Sequence, residues 1–247
     1  MTSENALQIV NEAIEAHGGR EYWNSLEALD VVISARGFLF TAKQRPILDH
    51  VRMRAYTKEA KFLFFGFPNP GETAELIGNS EVRILDGKGT VISRRENPRR
   101  AFHGMRRLVR WDDLDFIYFA GYATWNYLTE PFLLGGQGFV LETLEPAKGL
   151  RNLTRVQATF PGDLPTHSAV QVFYFDEQRL LRRLDYTAEV VGGWAHAAHL
   201  CEEYRSFGRI KIPTHRRVYP LMFGLKPMPG PLLVEIEVHE LKAVEIY

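Results

Sequence analysis

The side chains with the most chemical reach lie in one stretch: Asp185, Tyr186, Trp194, His196 and His199. A histidine titrates near neutrality and needs only an orienting partner to move a proton. His199 with Tyr186 or Asp185 would therefore form a proton donor and acceptor pair. His196 and His199 are spaced as two metal ligands on a helix would be. The stretch reads as a strand, however, and a strand turns the two rings to opposite faces. No third ligand is supplied nearby, so no metal site is expected. Leu180–Ala188 also reads as a strand, with Leu180, Leu184 and Tyr186 on the face of Arg182, and Arg183, Asp185 and Thr187 on the other. Tyr186 is thus expected inside and Asp185 outside. An inward carboxylate at Asp185 would favour catalysis.

Three further groups could hold a ligand. In the aromatic run Asp112–Thr129, Tyr118, Tyr122, Trp125, Asn126 and Tyr127 could offer polar tips while the rings pack, as small-molecule pockets do. Plain core packing is the alternative. Arg216 shares a strand face with Ile210, Ile212 and Val218. A cation there is either paired with an inner acid or used to hold a ligand carboxylate. Seven arginines fall within residues 94–110, Arg106 among them, and their fork geometry suits an anionic head group. A solvated loop is the alternative.

Composition removes several classes of function. The 247 residues are 45% hydrophobic and 24% charged, with thirty basic side chains balancing thirty acidic ones. That balance gives no overall attraction to nucleic acid or an anionic membrane. Phe102 is the sole aromatic within the arginine-rich segment, so base stacking is not expected there. The single cysteine, Cys201, excludes an intrachain disulfide and a multi-cysteine zinc site. Phosphate-loop, dinucleotide, zincin and hydrolase-elbow motifs are absent, and no cofactor is expected. Neither a secretory signal nor a membrane-spanning run is read, which makes the cytoplasm the expected location.

These residues need elements to position them. Ala6, Val10, Ala13 and Ile14 at helical spacing predict a helix over about 3–17, stopped by Gly18-Gly19. Strand alternation follows, with Leu29, Val31, Ile33 and Ala35 on one face opposite Asp30, Ser34 and Arg36. Asp86-Gly87 marks a hairpin turn. A helical insert is expected over about 112–134, and strands resume to the end of the chain. Roughly ten or eleven strands make a sheet long enough to curl. No linker divides the chain, so residues 1–247 read as a single domain.

Three local patterns carry a family likeness. They are Ala16-His17-Gly18-Gly19-Arg20-Glu21-Tyr22-Trp23 followed by Leu26 and Leu29; Val172-Phe173-Tyr174-Phe175-Asp176 with Leu180-Leu181-Arg182-Arg183; and Gly208-Arg209-Ile210-Lys211-Ile212-Pro213-Thr214. With the order of elements, they resemble the lipoprotein carriers LolA and LolB and their uncharacterised bacterial relatives. The resemblance implies a mainly β (α+β) fold: a large curled antiparallel sheet, or unclosed β-barrel. The N-terminal helix and the insert would cover its apolar concave face, and the hollow would hold acyl chains or other hydrophobic molecules. The lone cysteine at 201 and the unread signal leave lipoprotein transport out of that inheritance.

Two functions are therefore expected. One is binding of a hydrophobic small molecule or lipid, with Tyr118, Tyr122, Trp125, Trp194, His196, Arg216 and Arg106 as contacts. The other is a cofactor-free enzyme, of cyclase, isomerase or dehydratase type, using Tyr186, His199 or Asp185 on a hydrophobic substrate.

Overall fold

The computed structural model describes residues 3–222 and 225–246, without the side chains of Ser3, Arg106 and Arg107. Alternation of apolar and polar residues builds thirteen strands among them. The first six are β1 (Leu26–Arg36), β2 (Leu48–Tyr56), β3 (Lys61–Phe65), β4 (Thr73–Ile77), β5 (Glu81–Leu85) and β6 (Val91–Glu96). The others are β7 (Val140–Leu144), β8 (Thr154–Thr159), β9 (Val170–Phe175), β10 (Leu181–Thr187), β11 (His196–Phe207), β12 (Ile210–Pro220) and β13 (Val234–Glu245).

All neighbours pair antiparallel in one sheet of order β6-β5-β4-β3-β2-β1-β13-β12-β11-β10-β9-β8-β7. The chain walks outward from the centre to β6, crosses to the far edge at β7, and walks back until β13 pairs with β1. Strand twist accumulates over so many strands and curls the sheet. The edges β6 and β7 do not pair, so the barrel stays open, as expected from the sequence.

Four α-helices decorate it: α1 (Ser3–Ala16), α2 (Arg20–Asn24), α3 (Phe38–Ala42) and α4 (Asp113–Thr129). The stripe Ala6, Ile9, Val10, Ala13 and Ile14 is buried, and α1 docks on β7 and on the 3-10 turn Phe132–Gly135. The crossing from β6 to β7 is made by α4. Its start is fixed by a reciprocal cap, in which the Asp112 carboxylate accepts from the Asp115 backbone and the Asp115 carboxylate from the Asp112 backbone. A helix apolar on nearly every side has to be buried on nearly every side. It seats closely on the sheet through Gly121, where a Cβ would stand 3.2 Å from the Leu76 Cβ.

Two strands and two helices exceed the sequence reading. β4, β7, α2 and α3 are each five residues long, too short for a period to show. The strand count rises accordingly from about ten or eleven to thirteen.

Gly37 makes α3 feasible. Its φ is +137°, and a Cβ there would meet the Leu233 carbonyl oxygen at 2.5 Å. That closeness lets the Phe38 and Leu39 amides donate to Leu232 and Leu233, each at 3.0 Å. Gly37→Ala is expected to cost about 2–4 kcal/mol from overpacking plus backbone strain. Urea denaturation measures it, and an unchanged midpoint would refute the tight fit.

Candidate functional site

Where α4 faces the ends of β1, β2 and β13, small side chains leave a space. Ala120 and Ala123 of α4 look across at Ala35, Leu48, Val234 and Ile236. Leu39, Phe40, Lys43 and Arg45, from α3 and the turn after it, form the third wall. Arg45 is ion-paired with Asp113 and donates to the Trp111 carbonyl, so this wall is tied to the start of α4. The slot is mostly apolar and its cavity volume is about 50 Å³. A dry cavity of about 150 Å³ takes benzene. The slot therefore holds only a few heavy atoms unless its walls part. The concave side that was expected to be hollow is largely filled by α4.

Tyr127 and Tyr186 end the slot. The Tyr127 hydroxyl lies 2.9 Å from the Tyr186 hydroxyl and 2.6 Å from His167 Nε2, while His167 Nδ1 contacts the Tyr122 hydroxyl at 3.2 Å. The His167 ring stacks on Tyr186 at 4.0 Å. His167 rides on a loop just before β9. That loop is pinned where Asn126 donates to the Pro165 carbonyl at 2.8 Å and Arg99 to the Thr166 carbonyl at 2.7 Å. Burial, with Arg99 nearby, lowers His167 to about 3. Burial also raises the phenols of Tyr122, Tyr127 and Tyr186. All four groups are neutral at neutral pH.

Behind this cluster sits Arg216, buried on the inner face as its alternation predicts. It donates to the Tyr127 carbonyl at 2.6 Å, in the last turn of α4, where carbonyls carry the negative end of the helix dipole. Its guanidinium also lies over the Tyr127 ring and reaches Cys201 Sγ at 3.4 Å. No carboxylate among the described residues approaches it within 4.0 Å. Glu130 is near enough to feel its charge, yet burial still pushes that carboxyl up to about 8. Both Glu130 oxygens and His199 Nδ1 are buried without a hydrogen-bond partner.

The expected site residues scatter. Tyr186 faces inward and lines the slot. His199 is inward and fully buried, with its ring 4.3 Å from that of Tyr127. Burial and Arg216 hold it well below its ordinary pKa. Asp185 is on the other face, where Arg183 grips it at 2.6 and 2.9 Å and Tyr174 donates at 2.7 Å. That pairing removes Asp185 from the slot.

Tyr118, Tyr122 and Trp125 form one stripe of α4, and it is turned away from the slot. Tyr118 donates to Asn79 and Trp125 to the Tyr56 carbonyl, at 2.8 and 2.9 Å. The slot is lined by the nearly opposite stripe of Phe116, Ala120, Ala123 and Tyr127. Trp194 is 70% exposed and His196 is exposed, and both line a second, open groove of about 510 Å³ beside β10 and β11, which Asp185 and Tyr186 also border.

In the arginine-rich segment, Arg95 grips Asp112 and Asp115, and Arg99 pairs with Glu189. Both are structural ties within the fold. The Arg106 side chain lies outside the described residues. Of the polar tips expected on α4, Tyr127 is the one that lines the slot, whereas His167 was not singled out in the sequence. A lone histidine in a proline-containing loop gives no signal, and its partners are 40 and 45 positions away.

Among the described residues, one cluster has metal-ligand types in reach of each other: His215, Glu235 and Glu237. His215 contacts Glu235 at 2.9 Å, and Arg36 lies 2.7 Å from Glu235 and 3.5 Å from Glu237, so these ligand atoms already have partners. No described helix is long and apolar enough to cross a membrane.

No family model and no curated protein matches the sequence. Solved structures match by their fold. A LolA superfamily protein from Nitrosomonas europaea superposes with a TM-score of 0.53 at 10% identity, over 98% of this chain and 94% of that one. A DUF1329 family protein from Desulfovibrio piger gives 0.49 at 11% identity, over 96% and 92%. At such identity the first likeness speaks to architecture alone. An open antiparallel sheet, a helix across its concave side and this superposition together make the fold LolA-like.

Proposed function

We propose that the protein binds a hydrophobic small molecule in the slot beneath α4. The observation that carries this reading is an apolar slot kept open by alanines on a helix that otherwise fills the concave side. Ligands beyond a few atoms widen it by moving α3. That five-residue helix already leaves Phe38 54% exposed. Burial of apolar surface supplies the affinity, at about 25 cal/mol per Å².

Native mass spectrometry of protein purified from its own host tests the reading. Wild type is expected to carry a small hydrophobic mass that extracts into organic solvent. Ala123→Leu, which fills the slot, is expected to lower occupancy at least about ten-fold, equivalent to about 1.4 kcal/mol. Equal occupancy in both proteins, or an empty wild type, would count against it.

A second reading, catalysis on the bound molecule, is favoured by one observation. An imidazole and a phenol meet at 2.6 Å at the end of the slot, within proton-transfer reach. Isomerisation or dehydration suits such equipment. Conversion of the extracted compound on re-addition to ligand-free protein would establish it.

A further inference from the structure

Polar hydrogens outnumber hydrogen bonds in the cluster at the end of the slot. The cluster has three phenol hydroxyls, on Tyr122, Tyr127 and Tyr186, and one neutral imidazole, His167. Together they own four polar hydrogens. They make three mutual contacts: Tyr122 to Nδ1, Nε2 to Tyr127, and Tyr127 to Tyr186. Each contact consumes one hydrogen. One hydrogen is therefore left over in every arrangement of tautomer and rotor.

Its position follows from burial. If His167 carries its proton on Nδ1, that N–H donates to Tyr122 and the surplus hydrogen belongs to Tyr122, which is fully buried away from the slot. An unsatisfied buried donor is costly there. If the proton is on Nε2, Tyr122 donates to Nδ1 and Nε2–H donates to Tyr127. The surplus hydrogen then sits on Tyr127 or Tyr186, the two residues that line the slot. Neutrality of the ring follows from its burial, which holds it near 3.

We propose that the slot selects hydrophobic carbonyl compounds, whose uncharged oxygen accepts this surplus hydrogen from the Tyr127–Tyr186 pair. The inference rests on the slot being a binding site and adds what its ligand must carry. The four groups of the cluster are themselves neutral, and Arg216 beside them is turned to the Tyr127 carbonyl, so the oxygen that the hydroxyl pair takes is an uncharged one. A carboxylate would instead favour Lys43 and Arg45, on the other wall. A molecule without an acceptor leaves the hydrogen stranded, so the site discriminates against a plain hydrocarbon of equal length.

Saturation-transfer NMR titrations with methyl pentyl ketone and with heptane test this. Wild type is expected to bind the ketone at least ten-fold more tightly. The Tyr127→Phe/Tyr186→Phe double variant should lose that preference while still binding heptane. Both rings are changed because, with Tyr186 alone replaced, Tyr127 inherits the surplus hydrogen; with both replaced it withdraws to His167 Nε2, which does not line the slot. Should the double variant fail to fold, the carbonyl stretch of the ketone bound to wild type decides, since a hydrogen-bonded carbonyl absorbs at lower frequency than a free one. Equal binding of ketone and heptane, or a free-carbonyl frequency, overturns the proposal and leaves the slot reading standing. Binding of neither overturns both.

Discussion

Acidification from pH 6.5 to 4.5, the ordinary values of histidine and glutamate, is expected to remove about 5 kcal/mol of stability. That equals the lower end of the roughly 5–15 kcal/mol that holds a domain together, so cooperative unfolding should begin within this interval. Burial lowers His17 to about 4 and His167 to about 3, and holds His199 well below 6.5. Each takes its proton more readily in the unfolded chain. Their contribution is complete above pH 6.5 and drains as the pH falls.

Glu130 has the opposite sign. Burial raises it to about 8, so the folded chain holds that proton first and stability declines as pH rises from 4.5 to 8. Between 4.5 and 6.5, unfolding takes up three histidine protons and releases one from Glu130, a net two. Each is worth about 1.36 kcal/mol per pH unit. Above pH 6.5 the Glu130 slope remains, which puts the maximum near 6.5.

Several charges face these groups. Arg216 acts on His17, His199 and Glu130; Lys211 and Asp176 act on His17; Arg99 acts on His167. The lowered carboxylates Glu12, Glu202 and Glu235 titrate below 4.5, outside the interval. Urea midpoints taken across the pH range check the curve. Glu130→Gln should flatten the alkaline limb and steepen the acid limb, from two net protons to three. A level profile between 4.5 and 6.5 would mean that the buried histidines are not held neutral.

The second large effect is expected at the start of α4. Arg95→Met should cost about 3–5 kcal/mol, the range seen when a buried charge loses its counter-ion. The Asp115 side chain is fully buried, and Arg95 reaches it at 2.5 Å while gripping Asp112 at 2.6 Å. The same two aspartates form the helix cap, so the loss reaches the one element that crosses the concave side. Arg94→Met provides the control. Arg94 is 63% exposed and should change stability by under about 0.5 kcal/mol. Trp111 and Trp125 flank and lie within α4, and their fluorescence follows urea unfolding directly. If Arg95→Met cost no more than Arg94→Met, the assignment of Arg95 as a helix staple would fail.

Much of the architecture was legible because it is periodic. The stripe of α1, the alternation of β1 and β13, and the all-round apolarity of α4 each state in sequence which face is buried. Tyr186 inside, Asp185 outside and Arg216 inside follow from the same parity rule. What parity could not supply was rotation and partnership. Tyr118, Tyr122 and Trp125 share a stripe in sequence, but which stripe faces the slot depends on how Gly121 seats against Leu76. The use of Arg216 on a helix-end carbonyl depends on α4 ending above β12, a meeting 89 positions apart in the chain. His17 follows the last residue of α1, where a helix dipole favours an imidazolium. Its burial against Ala13 and Tyr204 makes it a neutral base instead.

The pairing of β1 with β13 sets a timetable for synthesis. A ribosome releases β1 through β6 as one wing and β7 through β12 as another. The seam between them cannot close until residues 234–245 have emerged. Until then β1 presents eleven residues of bare backbone on one side, the kind of edge that recruits stray strands. Such distant closure also slows folding. Nascent chains stalled short of β13 should therefore bind chaperones or aggregate, and the finished protein should lock in one late step.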